Sequence, residues 1–425
     1  MKKPYKKITL KNGLQIVLIK KTESPATTAL VMVATGSKYE TKNINGISHF
    51  LEHLCFKGTE SRPAAIDISS ELDGLGAQYN AFTGEEYTGY YAKVAAKYTG
   101  KIIDVVSDLY LNPTFPKEEL EREKGVIIEE INMYEDLPMR RVHELMTELL
   151  YGNQPAGWSI AGRKEVIQRL TRAEIIKYRG SHYVAGATTV VICGNFDEKK
   201  VLAQIKKTFS GISVKRRARK LKTRDVQKYP ALKNQYKDTD QTHLVIGARA
   251  YRLEDKRRFA LAVLSDILGG GMSARLFQTI RERLGAAYYI HASVEEHTDS
   301  GYLSISAGVD TKKLPLVIKA ILKECDSLKK GVVTDEEIRK AKNHMIGNIM
   351  IGLETSDQLA MFYGMQETLK RHSTPLAQLV RNINKVTKAE IVKVAKDIFK
   401  NSKLNLALIG PQKNSAPLKK IFRFR

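Results

Sequence analysis

The chain repeats itself, and that repetition restricts its fold more than any other feature. Leu75-Gly76-Ala77-Gln78-Tyr79 returns as Leu284-Gly285-Ala286-Ala287-Tyr288, 209 positions on, and Glu85-Glu86-Tyr87-Thr88 returns as Glu295-Glu296-His297-Thr298, 210 positions on. Two further features keep a similar separation. The strand-like Thr28 to Val33 matches Thr242 to Ile246, each ahead of a helical stretch. Pro116-Lys117-Glu118-Glu119-Leu120 matches Thr334-Asp335-Glu336-Glu337-Ile338, each opening a long helix. Four matches in one order point to a duplicated unit.

Within the first copy the pattern reads as follows. A hairpin turns at Asn12-Gly13 between Ile8 and Ile19, a strand runs from Thr28 to Thr35, and a helix covers residues 64–75. Strands follow at Gln78 to Phe82 and Tyr87 to Val94, then more helices. Sequential hairpins with segregated helices indicate an α+β fold: two duplicated domains, each an antiparallel-rich sheet with helices packed on it. The 425 residues suffice for two such cores. The expected division is 1–212, a linker at 213–232, and 233–425. The linker holds the basic run Lys215-Arg216-Arg217-Ala218-Arg219-Lys220-Leu221-Lys222, read as exposed.

The net charge of +24 raises nucleic acid as a partner, but no nucleic-acid motif accompanies it, and a Lys-rich solvated surface is the plainer account. Nucleic acid is therefore not expected as a partner. The basic start of the chain leads into the hairpin and not into an apolar segment. No run approaches the ~18 apolar residues of a membrane span. A cytoplasmic protein without a membrane partner is expected. The three cysteines, Cys55, Cys193 and Cys325, are too few and too widely spaced for a disulfide framework and are expected to be buried.

One segment carries metal chemistry. His49 and His53 are four apart, so on a helix they share a face one turn apart. Two imidazoles so placed reach one zinc at about 2.0–2.1 Å. Glu52 stands on the same side, placed to address a water on the metal without being a ligand. The pattern H-x-x-E-H is the inverted form of the commoner zinc-peptidase motif. The competing reading is a helix with two surface histidines. It fits poorly with Ile47, Phe50, Leu51 and Leu54, which would bury the helix; Gly58 then supplies a stop. An oxygen ligand is expected beside two histidines. Glu123 and Glu130, seven apart on one helix, share a face, whereas Glu129 lies about 100° away from Glu130. Glu129 reads well as a solvated charge; Glu130, among Val126, Ile127 and Ile131, reads less well as one.

His49 to His53, continued by Leu54-Cys55-Phe56-Lys57-Gly58-Thr59, resembles the pitrilysin and mitochondrial processing peptidase family. So does Glu123-Lys124-Gly125-Val126-Ile127-Ile128-Glu129-Glu130, and the likeness extends over essentially the whole chain. It takes in Asn80-Ala81-Phe82-Thr83, the stretch Gly269-Gly270-Gly271-Met272-Ser273-Ala274-Arg275-Leu276-Phe277, and Arg281 with Tyr288. The resemblance implies one zinc per chain held by His49, His53 and Glu130, with Glu52 as general base and Glu123 as a supporting carboxylate. It also implies that Asn80 and Ala81 lie on a strand that takes substrate as an added β-strand. Arg281 and Tyr288 would hold substrate backbone near the scissile bond; by themselves they read as an Arg on a helix face and a partly buried Tyr. One donor such as Tyr288 on a developing oxyanion is worth roughly 3–4 kcal/mol.

In the second copy His49 and His53 map to Val263 and Ile267, and Glu123 and Glu130 map to Ala341 and Asn348. The copies would therefore divide catalysis from binding. The expected protein is a zinc metalloendopeptidase hydrolysing unfolded peptides, its two domains pairing as a clamshell around a closed chamber. Long relatives carry four such domains in one chain, which implies a homodimer here. The alternatives are a non-catalytic scaffold of the same fold and a basic nucleic-acid-binding protein.

Overall fold

The computed structural model describes residues 5–424. Two mixed sheets dominate. The first is built from β1 (Lys6–Thr9), β2 (Gln15–Lys20), β3 (Ala26–Val33), β4 (Gln78–Thr83), β5 (Thr88–Ala95) and β6 (Thr188–Gly194), in the order β1-β2-β6-β3-β5-β4. The second is built from β7 (Ala231–Tyr236), β8 (Thr242–Arg249), β9 (Ala287–Glu296), β10 (Gly301–Val309) and β11 (Leu404–Gly410), in the order β7-β11-β8-β10-β9. One pair in each is parallel, β2 with β6 and β11 with β7; the other pairs are antiparallel. The duplicated Leu-Gly-Ala motifs lead into β4 and β9, which end their sheets in equivalent places. The expected hairpin forms: Ile8 pairs with Ile16, Gly13 takes a φ of +91°, and the Asn12 Oδ1 accepts from the Leu14 N–H.

The helices that cover these sheets or carry the candidate site are α1 (Ile47–Leu54), α2 (Thr99–Leu111), α3 (Lys117–Asp136), α4 (Pro138–Tyr151), α5 (Arg258–Gly269), α6 (Asp335–Ile351) and α7 (Ser356–Lys370). Side chains alternate across a strand, so each buried strand feeds two cores. In the first sheet Ile16, Leu18, Val31 and Val33 join Phe50 and Leu51 of α1 and Val105 and Leu109 of α2. The intervening Val17, Ile19, Leu30, Met32, Val191 and Cys193 pack on Ala360 and Tyr363 of α7. The second sheet does the same. Leu244, Ile246, Leu303 and Leu406 face Leu261 and Leu264 of α5, whereas Val245, Ala407 and Ile409 face Val142, Leu145 and Met146 of α4.

The second face of each sheet is thus covered by a helix from the other half of the sequence. One compact unit gathers residues up to Ile131, Ser159–Leu221 and Met350–Pro375; the other gathers Asn132–Trp158, Lys222–Ile349 and the chain from Leu376. These units differ from a contiguous division at residues 212 and 233, because α4 and α7 are exchanged. Both exchanged helices seat against glycine. A Cβ on Gly247 of β8 would lie 2.5 Å from the Met146 Sδ, and one on Gly364 of α7 would lie 3.0 Å from the Met32 Sδ. Polar ties fix α7 further: the Glu367 carboxylate, fully buried, accepts from the Tyr5 hydroxyl (2.9 Å) and the Lys7 ammonium (2.8 Å).

The basic run is less exposed than expected. The Lys220 ammonium reaches the buried Glu86 carboxylate (3.1 Å), which also pairs with the buried Lys38 (3.0 Å), and the Arg217 guanidinium donates to the Tyr39 hydroxyl. All three cysteines are buried and free. Burial pushes the Cys55 thiol up to about 11 and that of Cys193 up to about 12, and raises that of Cys325 as well. Among the described residues no helix is long and apolar enough to cross a membrane.

Candidate metal centre

Helix α1 is buried on one side through Ile47, Phe50, Leu51 and Leu54, each fully inaccessible. It ends at Leu54, ahead of Gly58, which turns the following loop with a φ of +133°. The apolar side forces His49, Glu52 and His53 onto the other. Helix α3 is held down by Leu120, Ile127 and Ile131, and brings Glu123 and Glu130 to the same place; Glu129 is exposed. Val126, expected beside Glu130 in the interior, is 47% exposed.

The donor atoms converge. The Glu130 Oε2 lies 3.5 Å from the His49 Nε2 and 3.6 Å from the His53 Nε2, and the donors of all three residues fall within 4.8 Å of one another. Two ligands of a tetrahedral zinc at about 2.0–2.2 Å stand roughly 3.4 Å apart, so this set fits zinc. Among the described residues it is the one group of three or more His, Cys, Asp or Glu that meets this geometry. The other nitrogen of His53, Nδ1, lies 3.1 Å from the Glu123 Oε2, and the Lys57 ammonium lies 2.7 Å from the Glu123 Oε1. When the His53 Nδ1–H donates to Glu123, Nε2 is the unprotonated nitrogen left on the side of Glu130. Glu52 accepts a hydrogen bond from the Thr83 hydroxyl (2.5 Å) at the end of β4.

Burial sets the charges apart. It raises the Glu52 carboxyl, and Glu130 adds to the rise, against the Thr83 hydrogen bond and His53. Burial acts to lower the His53 imidazole, but Glu123, Glu52 and Glu130 together outweigh it and the net change is upward. Burial acts to raise Glu123, and His53 and Lys57 overcome it, so that carboxyl ends below its ordinary value.

Asn80 and Ala81 lie on β4, at the end of the first sheet, with Asn80 exposed and its Oδ1 accepting from the Ala81 N–H. Arg281 and Tyr288 belong to the second unit and stand beside each other. Arg281 rises from a π-helical turn, Phe277–Arg283, its guanidinium 5.9 Å from the Tyr288 ring centre. Tyr288 is 74% exposed at the start of β9, not partly buried.

Three contacts escaped the sequence reading. Lys57 follows His53 by one turn and its spacing was a usable signal; Thr83 stood in a motif without a stated partner. The third is Glu40, a loop residue with no periodicity to mark it. Its Oε2 accepts from the Gly46 N–H (2.7 Å) and the Asn45 amide (3.0 Å), and its Oε1 from the Ser48 N–H (2.9 Å).

The sequence profile of peptidase family M16 (insulinase) matches residues 15–164, and that of the peptidase M16 inactive domain matches residues 169–345. The chain is 34% identical over 409 residues to an uncharacterized zinc protease of Bacillus subtilis (strain 168), spanning 96% of this chain and 99% of the relative. It is 33% identical over 415 residues to one of Streptomyces coelicolor, spanning 96% and 90%. In fold it is similar to a protease from Helicobacter pylori (TM-score 0.90, 23% identity, 96% of this chain and 100% of that one). It is also similar to a putative M16-like peptidase from Alicyclobacillus acidocaldarius (TM-score 0.84, 19% identity, 97% and 100%). A copy with a convergent donor set, followed by a copy matching the inactive domain, is the order that these profiles describe, and the chain belongs to peptidase family M16, the pitrilysin or insulinase family, as a two-domain member of bacterial type.

Proposed function

We propose that the chain is a zinc-dependent endopeptidase acting on extended, unfolded peptides. The observation that carries this reading is the convergence of His49, His53 and Glu130 with the half-buried Glu52 carboxylate beside them. When bound there, zinc supplies a Lewis acid that acidifies a water and polarises a carbonyl. Glu52 takes a proton from the attacking water and returns it to the leaving amine, and the raised affinity of its carboxyl for a proton suits both steps. Glu123 fixes the ring of His53 through Nδ1, and Lys57 keeps Glu123 charged. The end position of β4 suits a peptide added as a further strand along Asn80 and Ala81, where Thr83 already ties that strand to Glu52. Such pairing selects extended chains over folded proteins.

Arg281 and Tyr288 are assigned to the substrate backbone, with the Tyr288 hydroxyl as donor to the developing oxyanion. We place them opposite the metal residues of a partner chain in a two-fold homodimer. The first test is digestion of a complex peptide mixture with and without chelator, the cuts read by mass spectrometry; cutting that survives full zinc removal would overturn the metallopeptidase reading. The dimer is tested by refolding Glu52→Gln together with the double variant Arg281→Ala, Tyr288→Phe. Action in trans returns activity toward about a quarter of wild type, since about half the dimers are mixed and each has one complete site. Activity that stays at the level of the separate variants, with exchange confirmed by tags, would sink it.

A further inference from the structure

The first turn of α1 is held from outside the helix. Its N-cap is Gly46, with a φ of +97° and no side chain to offer the orphan N–H groups. A Cβ at Gly46 would lie 2.7 Å from the Ala161 carbonyl oxygen and 2.7 Å from the Ile167 Cδ1, so Ser, Asp or Asn has no room there. The capping comes instead from Glu40, through its bonds to the N–H groups of Gly46 and Ser48. The countercharge is the positive end of the helix itself.

Glu40 is 2% exposed, and burial pushes its carboxyl up to about 7 against the pull of its hydrogen bonds. A carboxylate kept in such a place costs free energy that packing alone would not require. What it holds is the turn that carries the first histidine. His49 directly follows Ser48, and the Ser48 hydroxyl lies 2.8 Å from the Tyr178 hydroxyl, which lies 3.0 Å from the Thr35 hydroxyl. The residue before His49 is thus fixed by its backbone on Glu40 and by its side chain on Tyr178.

We propose that Glu40 is a positioning residue of the metal centre: by capping α1 at Gly46 and Ser48 it fixes the turn that aims His49 at the metal. This rests on the zinc site proposed above. The role is indirect, since Glu40 bonds neither ligand nor substrate. Its consequence is a centre whose geometry depends on a loop acid outside the motif.

Glu40→Gln tests it, keeping the size of the side chain while turning an amide N–H₂ against backbone donors. Zinc affinity, measured by competition with a chelator, is expected to fall roughly 10- to 100-fold, as for other partners behind metal ligands. The visible spectrum of the cobalt-substituted protein shifts, and kcat falls with KM near wild type. Glu40→Asp, which keeps the charge, restores part of the affinity. Ile391→Val, in the core of the second unit, controls for general destabilisation and leaves zinc affinity and cobalt spectrum unchanged. Wild-type affinity and spectrum in Glu40→Gln would overturn the proposal, and so would an equal loss in Ile391→Val. If Glu40→Gln does not fold, Asn45→Ala removes one donor to the same carboxylate and is expected to shift both readings less, in the same direction; no shift would overturn the proposal. A wild-type chain that binds no zinc would remove the centre itself, whereas equal binding by wild type and Glu40→Gln removes only the role of Glu40.

Discussion

Helices α1 and α3 of the first copy and α5 and α6 of the second occupy matching places, yet they are filled by opposite chemistry. The first pair brings the donors of His49, His53 and Glu130 together, with Glu123 behind His53 and Glu52 held by Thr83. The second pair offers Val263, Ile267 and Ala341, all buried in the core, and an exposed Asn348. Where Glu52 stands in the first copy the second keeps a carboxylate, Asp266, but its Oδ1 is 2.8 Å from the His344 Nδ1, and the His344 Nε2 is 3.1 Å from the Asn348 amide. The second copy is mostly hydrocarbon here, with one Asp266–His344 pair, whereas the first gathers carboxylates and imidazoles whose charges a bound cation would help to balance.

The exchange of α4 and α7 gives the sharpest way to break the comparison. A chain ending at residue 212 lacks α7, leaving Leu30, Met32, Val17 and Val191 uncovered, and its α4 has no second sheet to cover. It is expected to show no cooperative thermal transition and to bind an apolar dye. A sharp transition with zinc bound would mean that the copies are independent after all.

Next in size is the pair of acids. Glu52→Gln is expected to keep one zinc by metal analysis and to lose activity by roughly 10²–10⁴-fold. Asp266→Asn is expected to leave activity within a few-fold. Equal losses in the two would erase the functional asymmetry between the copies.

Converting one copy toward the other gives a smaller, energetic effect. Ile267→His places an imidazole in a site only 5% exposed, and is expected to cost about 2–4 kcal/mol in denaturant unfolding without adding a second zinc. His53→Ile is expected to lose the zinc and keep the fold. A second bound zinc in the Ile267→His variant would show that the second copy lacks less than its contacts indicate.

The last pair compares neighbours on α3. Glu130→Gln is expected to lower zinc occupancy far more than Glu129→Gln, because Glu129 points to solvent. Metal analysis decides it, and the reverse order would move the third ligand to Glu129.

What could be read in advance was whatever a helix repeats. Spacing alone put His49 with His53 and Glu123 with Glu130, and the apolar positions of α1 gave its buried side. The duplication paired the strand at Gln78 with the one at Ala287, and these are β4 and β9, though the order of strands in either sheet was not legible. Exchange was not legible, because the apolar faces of α4 and α7 say that each covers a sheet but not which one. Glu40 acts through local hydrogen bonds from an irregular loop to Asn45, Gly46 and Ser48, and Thr83 through one bond to the distant Glu52; neither leaves a period in the sequence. The π-helical turn under Arg281 was equally silent, since an extra residue in one turn has no compositional mark. The basic run was misread in part because its charge suggested solvent, while the buried Glu86 that receives Lys220 lies far off in sequence.

The cysteines carry a practical consequence. Cys55, Cys193 and Cys325 are shielded from water and burial raises their thiols, so the native protein is expected to react little with maleimides and other thiolate-directed reagents at neutral pH. A cysteine introduced at an exposed position, such as Ile66 or Val226, becomes the sole reactive handle without first stripping the chain of its own. Pairs of such handles, one in each compact unit, would let spin labels or fluorophores report distances during turnover on an otherwise unaltered sequence.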